Sequence, residues 1–428
     1  MSTHSTGRCQ LFLAGSLPFL TLMAFPAGHT RGAEPAALAA PAADVVQHVS
    51  WDLPAAAQRG KPGQWQLCEV AKPGKPLPAL VCPAVADDGQ PAASRWRLLA
   101  TIPPGVPANA PRRFELRPRD SAPAAESGAF RFAALNERSL KLLEGDKPVW
   151  AYNHGEITNE RVPAKDARRT RACYLHPVWG LNGEVLTDDF PKDHYHHHGI
   201  FWAWPHVSID GKEYDLWVSG NIRQKFVRWL HQDAGPAAAV LAFENGWFVG
   251  DRQVMTERIW VHTYPSQSDE RSLDLTMVFI PGDKPVTLRG SEGKSYGGLT
   301  VRFDAAPRRD ATVRAPGHKV QQAGGGLAST QDLADMPLPW ADLTTHIPGA
   351  PVRSGAAIFV SPDHPDYPPS WLTRCYGPLC IGWPGVKART IAAGKPFTLR
   401  YRVWIHKTEV EEARLQHVYD AYCKSPRR

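Results

Sequence analysis

The sequence is poor in several things, and each shortage excludes a class. It carries only 7 cysteines in 428 residues, too few for a disulfide scaffold. It has no long basic tract. The densest runs are Arg112-Arg113 and Arg168-Arg169-Thr170-Arg171, too short for a nucleic-acid footprint, so the net charge of +7 does not imply nucleic-acid binding. After the first 33 residues no apolar run is long enough to cross a bilayer, so no stable membrane span is expected. No lipobox leads into Cys9. No internal repeat of fixed period is visible. Methionine is scarce, at 5, and convincing helical periodicity is confined to one stretch near the C-terminus.

What is present points to β-structure. Apolar content of 43% with 21% charge describes a globular chain able to bury a large core. Forty prolines and 35 glycines punctuate short alternating segments, the pattern of an all-β fold. Residues 1–33 read as a secretory signal, with Arg8 before an apolar segment from Leu11 to Phe25. The expected location is therefore periplasmic or extracellular. Six cysteines would then remain, an even number that permits disulfides, with Cys68–Cys82 and Cys375–Cys380 nearest in sequence.

Residues 34–44 are an Ala/Pro linker. Residues 45–118 alternate in short pieces such as Gln64–Val70 and Arg113–Arg117, which predicts a small β-sandwich. A second linker covers 119–128. Residues 129–425 predict a large β-sandwich carrying the site, with strands such as Arg271–Ile280 and Phe397–Trp404, and a single helix over Glu409–Cys423.

The chemistry concentrates in Asp193-His194-Tyr195-His196-His197-His198-Gly199-Ile200-Phe201-Trp202-Ala203-Trp204-Pro205-His206, which holds five of the seventeen histidines. Read as an extended strand, it places His196, His198, Trp202 and Trp204 on one face. Three readings compete. Imidazoles could act as acid and base, because their ordinary pKa of about 6.5 lies near working pH. His196 and His198, at i and i+2, could share a divalent metal with a third ligand. Or the histidines are structural. Tryptophans beside polar motifs, Trp202 and Trp371 among them, suit the C–H faces of sugar rings. Glu292, in Arg289-Gly290-Ser291-Glu292-Gly293, is a candidate general base. Arg302 interrupts an apolar strand and should pair with a carboxylate or an anionic ligand. His364, Trp371, Arg374 and Tyr376 gather on one proline-rich loop.

These motifs occur in a recognisable order: Tyr174-Leu175-His176-Pro177, Asp193-His194 with His196-His197 and Gly199, the strand from Tyr296 to Arg302, Pro368-Pro369-Ser370-Trp371 with Arg374-Cys375-Tyr376-Gly377, and Leu399-Arg400-Tyr401-Arg402. Together they resemble a bacterial family of exported proteins of unknown function labelled methane-oxygenase PmoA-like, over about residues 130–423. The label does not carry methane oxidation here, because the membrane subunit it refers to spans the bilayer and this chain has no such segment. The layout also looks like the galactose-mutarotase supersandwich, in which a histidine pair and a carboxylate act on sugars. That resemblance implies His176, His194 or His197 as acid and Glu292 as base, beside Trp202, Arg302, His364, Trp371, Arg374 and Tyr376 as the candidate substrate contacts read from the residues themselves. The expected function is binding and transforming a carbohydrate or other polar small molecule. The alternatives are a metal-dependent enzyme built on residues 194–198, with a divalent ion on His196 and His198, and a non-catalytic glycan-binding protein.

Overall fold

A computed structural model describes residues 37–40, 44–53, 65–71, 74–105, 112–118, 128–305, 310–321 and 332–425. The expected signal segment, most of the first linker and nearly all of the second lie outside them. The described chain is all-β with one helix at its C-terminal end, and no helix in it is long and apolar enough to cross a membrane.

The N-terminal region differs from the expected sandwich. Its six strands form one antiparallel sheet, in the order Ala37–Ala40, Arg112–Pro118, Trp65–Glu69, Leu77–Val85, Pro91–Ile102, Gln47–Leu53. The reason lies in period-2 alternation. Ala79, Val81, Leu98 and Ala100 pack with Val49, Leu67 and Phe114 in a core of their own. Their neighbours Leu80, Cys82 and Leu99 point the other way and pack with Val240, Ala242 and Trp260 of the large region. One sheet thus feeds two cores, one enclosed among its own strands and one shared with the large region, within a single compact unit.

Two nine-stranded antiparallel sheets make the large region. The first runs Ala334–Pro337, Ser370–Thr373, Pro378–Gly382, Gly298–Arg302, Ile200–Ala203, Tyr174–Val178, Lys147–Asn153, Ser139–Glu144, Phe130–Asn136. The second runs Arg223–Ala234, Ala239–Val249, Arg252–Thr263, Glu270–Pro281, Phe397–His406, Ser354–Val360, Trp340–Thr345, Thr312–Ala315, His318–Gln321. Their facing side chains share one large apolar core. Side-chain hydrogen bonds cross between the sheets: Trp150 Nε1 donates to Thr263 Oγ1 (2.9 Å), Tyr152 OH to Asn245 Oδ1 (2.8 Å), Trp202 Nε1 to Glu257 Oε2 (2.9 Å) and Arg271 Nη2 to Glu144 Oε2 (2.6 Å).

The helix occupies Glu412–Lys424. It begins three residues later than its periodicity predicts, and Glu409 is instead bound to Arg314 and Arg353. Leu415, Val418, Tyr419 and Tyr422 lay its apolar face on Trp340, Phe359 and Trp404. Cys68, Cys82, Cys375 and Cys380 are free thiols, so neither neighbouring pair forms a disulfide.

Candidate functional site

The histidine stretch is not a strand over its first half. Pro191 O accepts from His194 N (3.0 Å) and His194 O accepts from His197 N (2.9 Å), so two turns follow one another. Only Ile200–Ala203 is extended. The i, i+2 face expected for His196 and His198 therefore does not exist. Turns bring together residues three apart instead. The His194 ring lies parallel to His197, centroids 4.7 Å apart, and parallel to Tyr376 at 5.2 Å. Gly199 lets the chain re-enter the sheet, because a Cβ there would sit 1.9 Å from Leu175 O.

Arg302 ends the strand Gly298–Arg302 and is fully buried. Its Nη2 donates to both oxygens of Asp193, at 3.0 and 3.1 Å, and lies 3.9 Å from Asp188 Oδ2. Its Nη1 donates to His197 Nδ1 at 3.3 Å. A guanidinium has no acceptor to offer, so His197 Nδ1 is the acceptor and the ring proton resides on Nε2. Arg302 also sits over the Tyr376 ring, 5.0 Å from its centroid. The expectation that Arg302 pairs with a carboxylate is met by Asp193. Gly377, at φ +134°, permits this packing, since a Cβ there would lie 2.5 Å from Phe303 O.

The carboxylates around this guanidinium are driven apart. Burial alone would raise Asp193, but the His194 imidazole 3.0 Å away and the Arg302 charge outweigh that and hold it down at about 2. Asp188 has a longer contact with Arg302, and burial raises it to about 6, with Asp304 adding repulsion. Asp189 is also raised by burial to about 6, against the pull of His176 and a hydrogen bond from Tyr174. Tyr174 OH donates to Asp189 Oδ2 (2.8 Å), and Asp189 Oδ1 lies 2.7 Å from His198 Nδ1.

The other imidazoles stand in different surroundings. His198 is buried against Tyr174 and Phe190. His176 is hydrogen-bonded to Thr187 Oγ1 at 3.0 Å, and burial lowers its pKa. His196 is lowered to about 3, first by burial and then by the neighbouring charges of His194, His198, Arg168 and Arg171; its Nδ1 is buried without a hydrogen-bond partner. Among the described residues no group of three His, Cys, Asp or Glu side chains is placed to hold a metal ion. His196 and His198 are engaged separately, His198 by Asp189 and His196 beside Trp217 and His197.

The structure thus gathers His194, His197, Arg302 and Tyr376, with His176, His196 and His198 around them. It does not bring in the rest of the expected set. Glu292 stands exposed on a turn with no hydrogen bond or ion pair to the described residues. Trp202 and Trp371 offer no face to a ligand: both are fully buried, with Trp371 Nε1 donating to Leu338 O at 2.8 Å. His364 is buried against Tyr401, 3.2 Å from its hydroxyl. Arg374 lies 3.6 Å from Asp332. Sequence reasoning missed Asp188, Asp189 and the role of Asp193. The signal available was three acids within six residues just ahead of the histidine run, beside an arginine in need of a counter-charge.

A model of one protein family, described as a family of unknown function (DUF6807), matches residues 139–420. This span contains every residue of the site. The match assigns no activity and bears on neither the methane-oxygenase-like label nor the galactose-mutarotase analogy. No curated protein matches the chain.

Proposed function

The chain belongs to the DUF6807 family, and we propose that it is an exported enzyme that transforms a carbohydrate by proton transfer at the Arg302 site. One observation carries this reading: two carboxylates meet one buried guanidinium and titrate far apart, Asp193 at about 2 and Asp188 at about 6. Environments that separate like groups in this way mark acid–base division of labour. Asp188, about one-quarter exposed, is the group that gives and takes the proton near neutral pH. Asp193 stays ionised, 3.0 Å from His194 Nδ1, and orients that imidazole as the partner acid or base. Arg302 fixes Asp193 and accommodates negative charge developing on a substrate oxygen. Glu292 gives up the role of base to Asp188.

A sugar fits because hydroxyls need donors and acceptors at close quarters, and the parallel His194 and Tyr376 rings add a planar aromatic surface. The glycan-binding alternative loses its main support with the burial of Trp202 and Trp371. The metal alternative draws no support from the placement of His196 and His198.

The test is a screen of mono- and oligosaccharides in D2O, read by NMR for solvent deuterium entering the sugar, for new anomers and for released reducing ends. Turnover by the native protein should fall by roughly 10²–10⁴-fold in Asp188→Asn, the usual range for removing a general acid or base. Undiminished turnover in both Asp188→Asn and His194→Ala would refute the assignment.

A further inference from the structure

We propose that a cavity sharing no residue with the histidine site binds an oxyanion carried by a small molecule. The cavity measures about 320 Å³, within the size range of small-molecule sites. It lies between the turn at residues 180–183, the start of the strand Lys147–Asn153 and the segment 266–271. Lys147, Arg271 and Lys407 line it, and no aspartate or glutamate does.

The acid that could have neutralised it is engaged behind the wall. Glu144 accepts from Ser266 N and Ser266 Oγ, both at 2.8 Å, and from Arg271 Nη2 at 2.6 Å. Those bonds hold Arg271 rigidly, and its side chain is 3% exposed. Lys407 has only a long contact, 3.8 Å, with the exposed Asp269. Lys147 has no ion pair among the described residues. Ser268 and the side-chain amide of Asn182 add neutral donors to the lining.

The competing reading is two solvated lysines beside a structural Arg–Glu pair. It leaves unaccounted for a cavity lined by three cations and no acid. A carboxylate, phosphate or sulfate seated there would offset both ammonium groups and lie beside the Arg271 guanidinium. A uronic acid, a phosphate ester and a free inorganic ion share this chemistry.

Calorimetric titration of the full chain at low ionic strength separates these sources. The probes are inorganic phosphate, sulfate and glucuronate, with glucose as the uncharged control. At least one oxyanion should bind saturably with unit stoichiometry, and added salt should weaken it. The exposed pair Lys147→Ala/Lys407→Ala should lose roughly tenfold or more in affinity, about 1.4 kcal/mol, with an unchanged thermal midpoint. Absence of saturable binding by all three anions would overturn the proposal. So would equal affinity in the double variant, or anion binding abolished by His194→Ala but kept in the lysine pair, which would move the anion to the histidine site and leave the proton-transfer reading standing.

Discussion

Two buried charges in this protein are treated in opposite ways. Glu257, in the strand Arg252–Thr263, is wholly enclosed and accepts only from neutral donors: Trp202 Nε1 (2.9 Å), Trp247 Nε1 (2.8 Å), Asn245 Nδ2 (2.8 Å) and Gln224 Nε2 (3.1 Å to each oxygen). Arg302 is equally buried, yet it faces a charged partner, a second carboxylate at 3.9 Å and a histidine acceptor, and its Nε is left without a partner. The Glu257 network saturates its carboxylate from four side chains on three strands and ties the two sheets together. The Arg302 cluster leaves titratable groups partly exposed and holds their pKa values apart. Saturation is what a structural polar network needs. Incomplete saturation with partial exposure is what a reacting group needs.

The contrast is best broken at its structural pole. Glu257→Leu should leave four buried donors without an acceptor and cost about 3–5 kcal/mol, the scale for removing one partner of a buried charged network. Urea unfolding would measure it. A loss under about 1 kcal/mol would mean that the network does not hold the sheets, and the distinction would collapse.

Arg302→Met probes the other pole. Asp193 is partly exposed and can regain water, so the stability loss should be smaller, about 1–3 kcal/mol. The loss of turnover should be at least as severe as for Asp188→Asn. Arg302→Lys should not restore it, because a single ammonium nitrogen cannot replace the two guanidinium nitrogens that hold Asp193 and His197 at once. Recovery of full turnover by lysine would show that only charge matters there.

His196 supplies a pH test. Its pKa in the folded protein, about 3, lies below its unfolded value, so wild-type stability is complete above about pH 6.5 and falls on acidification. His196→Phe should remove that part of the slope. Relative to the wild type it should gain about 1–2 kcal/mol between pH 8 and pH 5. His262 and His364, each lowered to about 4 mainly by burial, keep the remaining slope. An unchanged difference between pH 8 and pH 5 would place His196 in water, outside the cluster.

The two poles were not equally legible in the sequence. Alternation and proline–glycine punctuation identified the strands of both, and periodicity identified the helix to within three residues. Arg302 was visible because a cation in an apolar strand demands a partner. Glu257 was hidden, because Thr256-Glu257-Arg258 reads as ordinary polar alternation and its four donors come from positions 202, 224, 245 and 247. Trp202 and Trp371 looked like sugar platforms for the same reason: whether an indole faces solvent or a second sheet is decided by sheet pairing, which one segment does not encode. The histidine run misled through parity. A strand was read where Pro191 and the following residues make two turns, and that exchanged an i, i+2 face for an i, i+3 stack.

The smallest effect separates the two poles most finely. Burial raises Asp188 from its ordinary range to about 6, so the folded state binds the proton more tightly than the unfolded state does. Between about pH 4 and pH 6 this carboxyl therefore makes the protein less stable as pH rises, and above pH 6 the whole penalty is present. A shift of that size corresponds to about 2–3 kcal/mol, and the exposed quarter of the side chain brings the expectation nearer 1 kcal/mol. Asp188→Asn keeps the shape and removes the charge. It should be more stable than the wild type at pH 7.5 by about 1 kcal/mol and no different at pH 3.5. The comparison must be between variant and wild type at each pH, because the buried histidines lose stability toward acid in the same window. A variant more stable at neutral pH and inactive there would show a carboxylate kept at a cost to the fold for the sake of chemistry. A variant less stable at pH 7.5 would show that Asp188 serves Arg302 as Asp193 does, and the Arg302 site would then belong with Glu257, as structure.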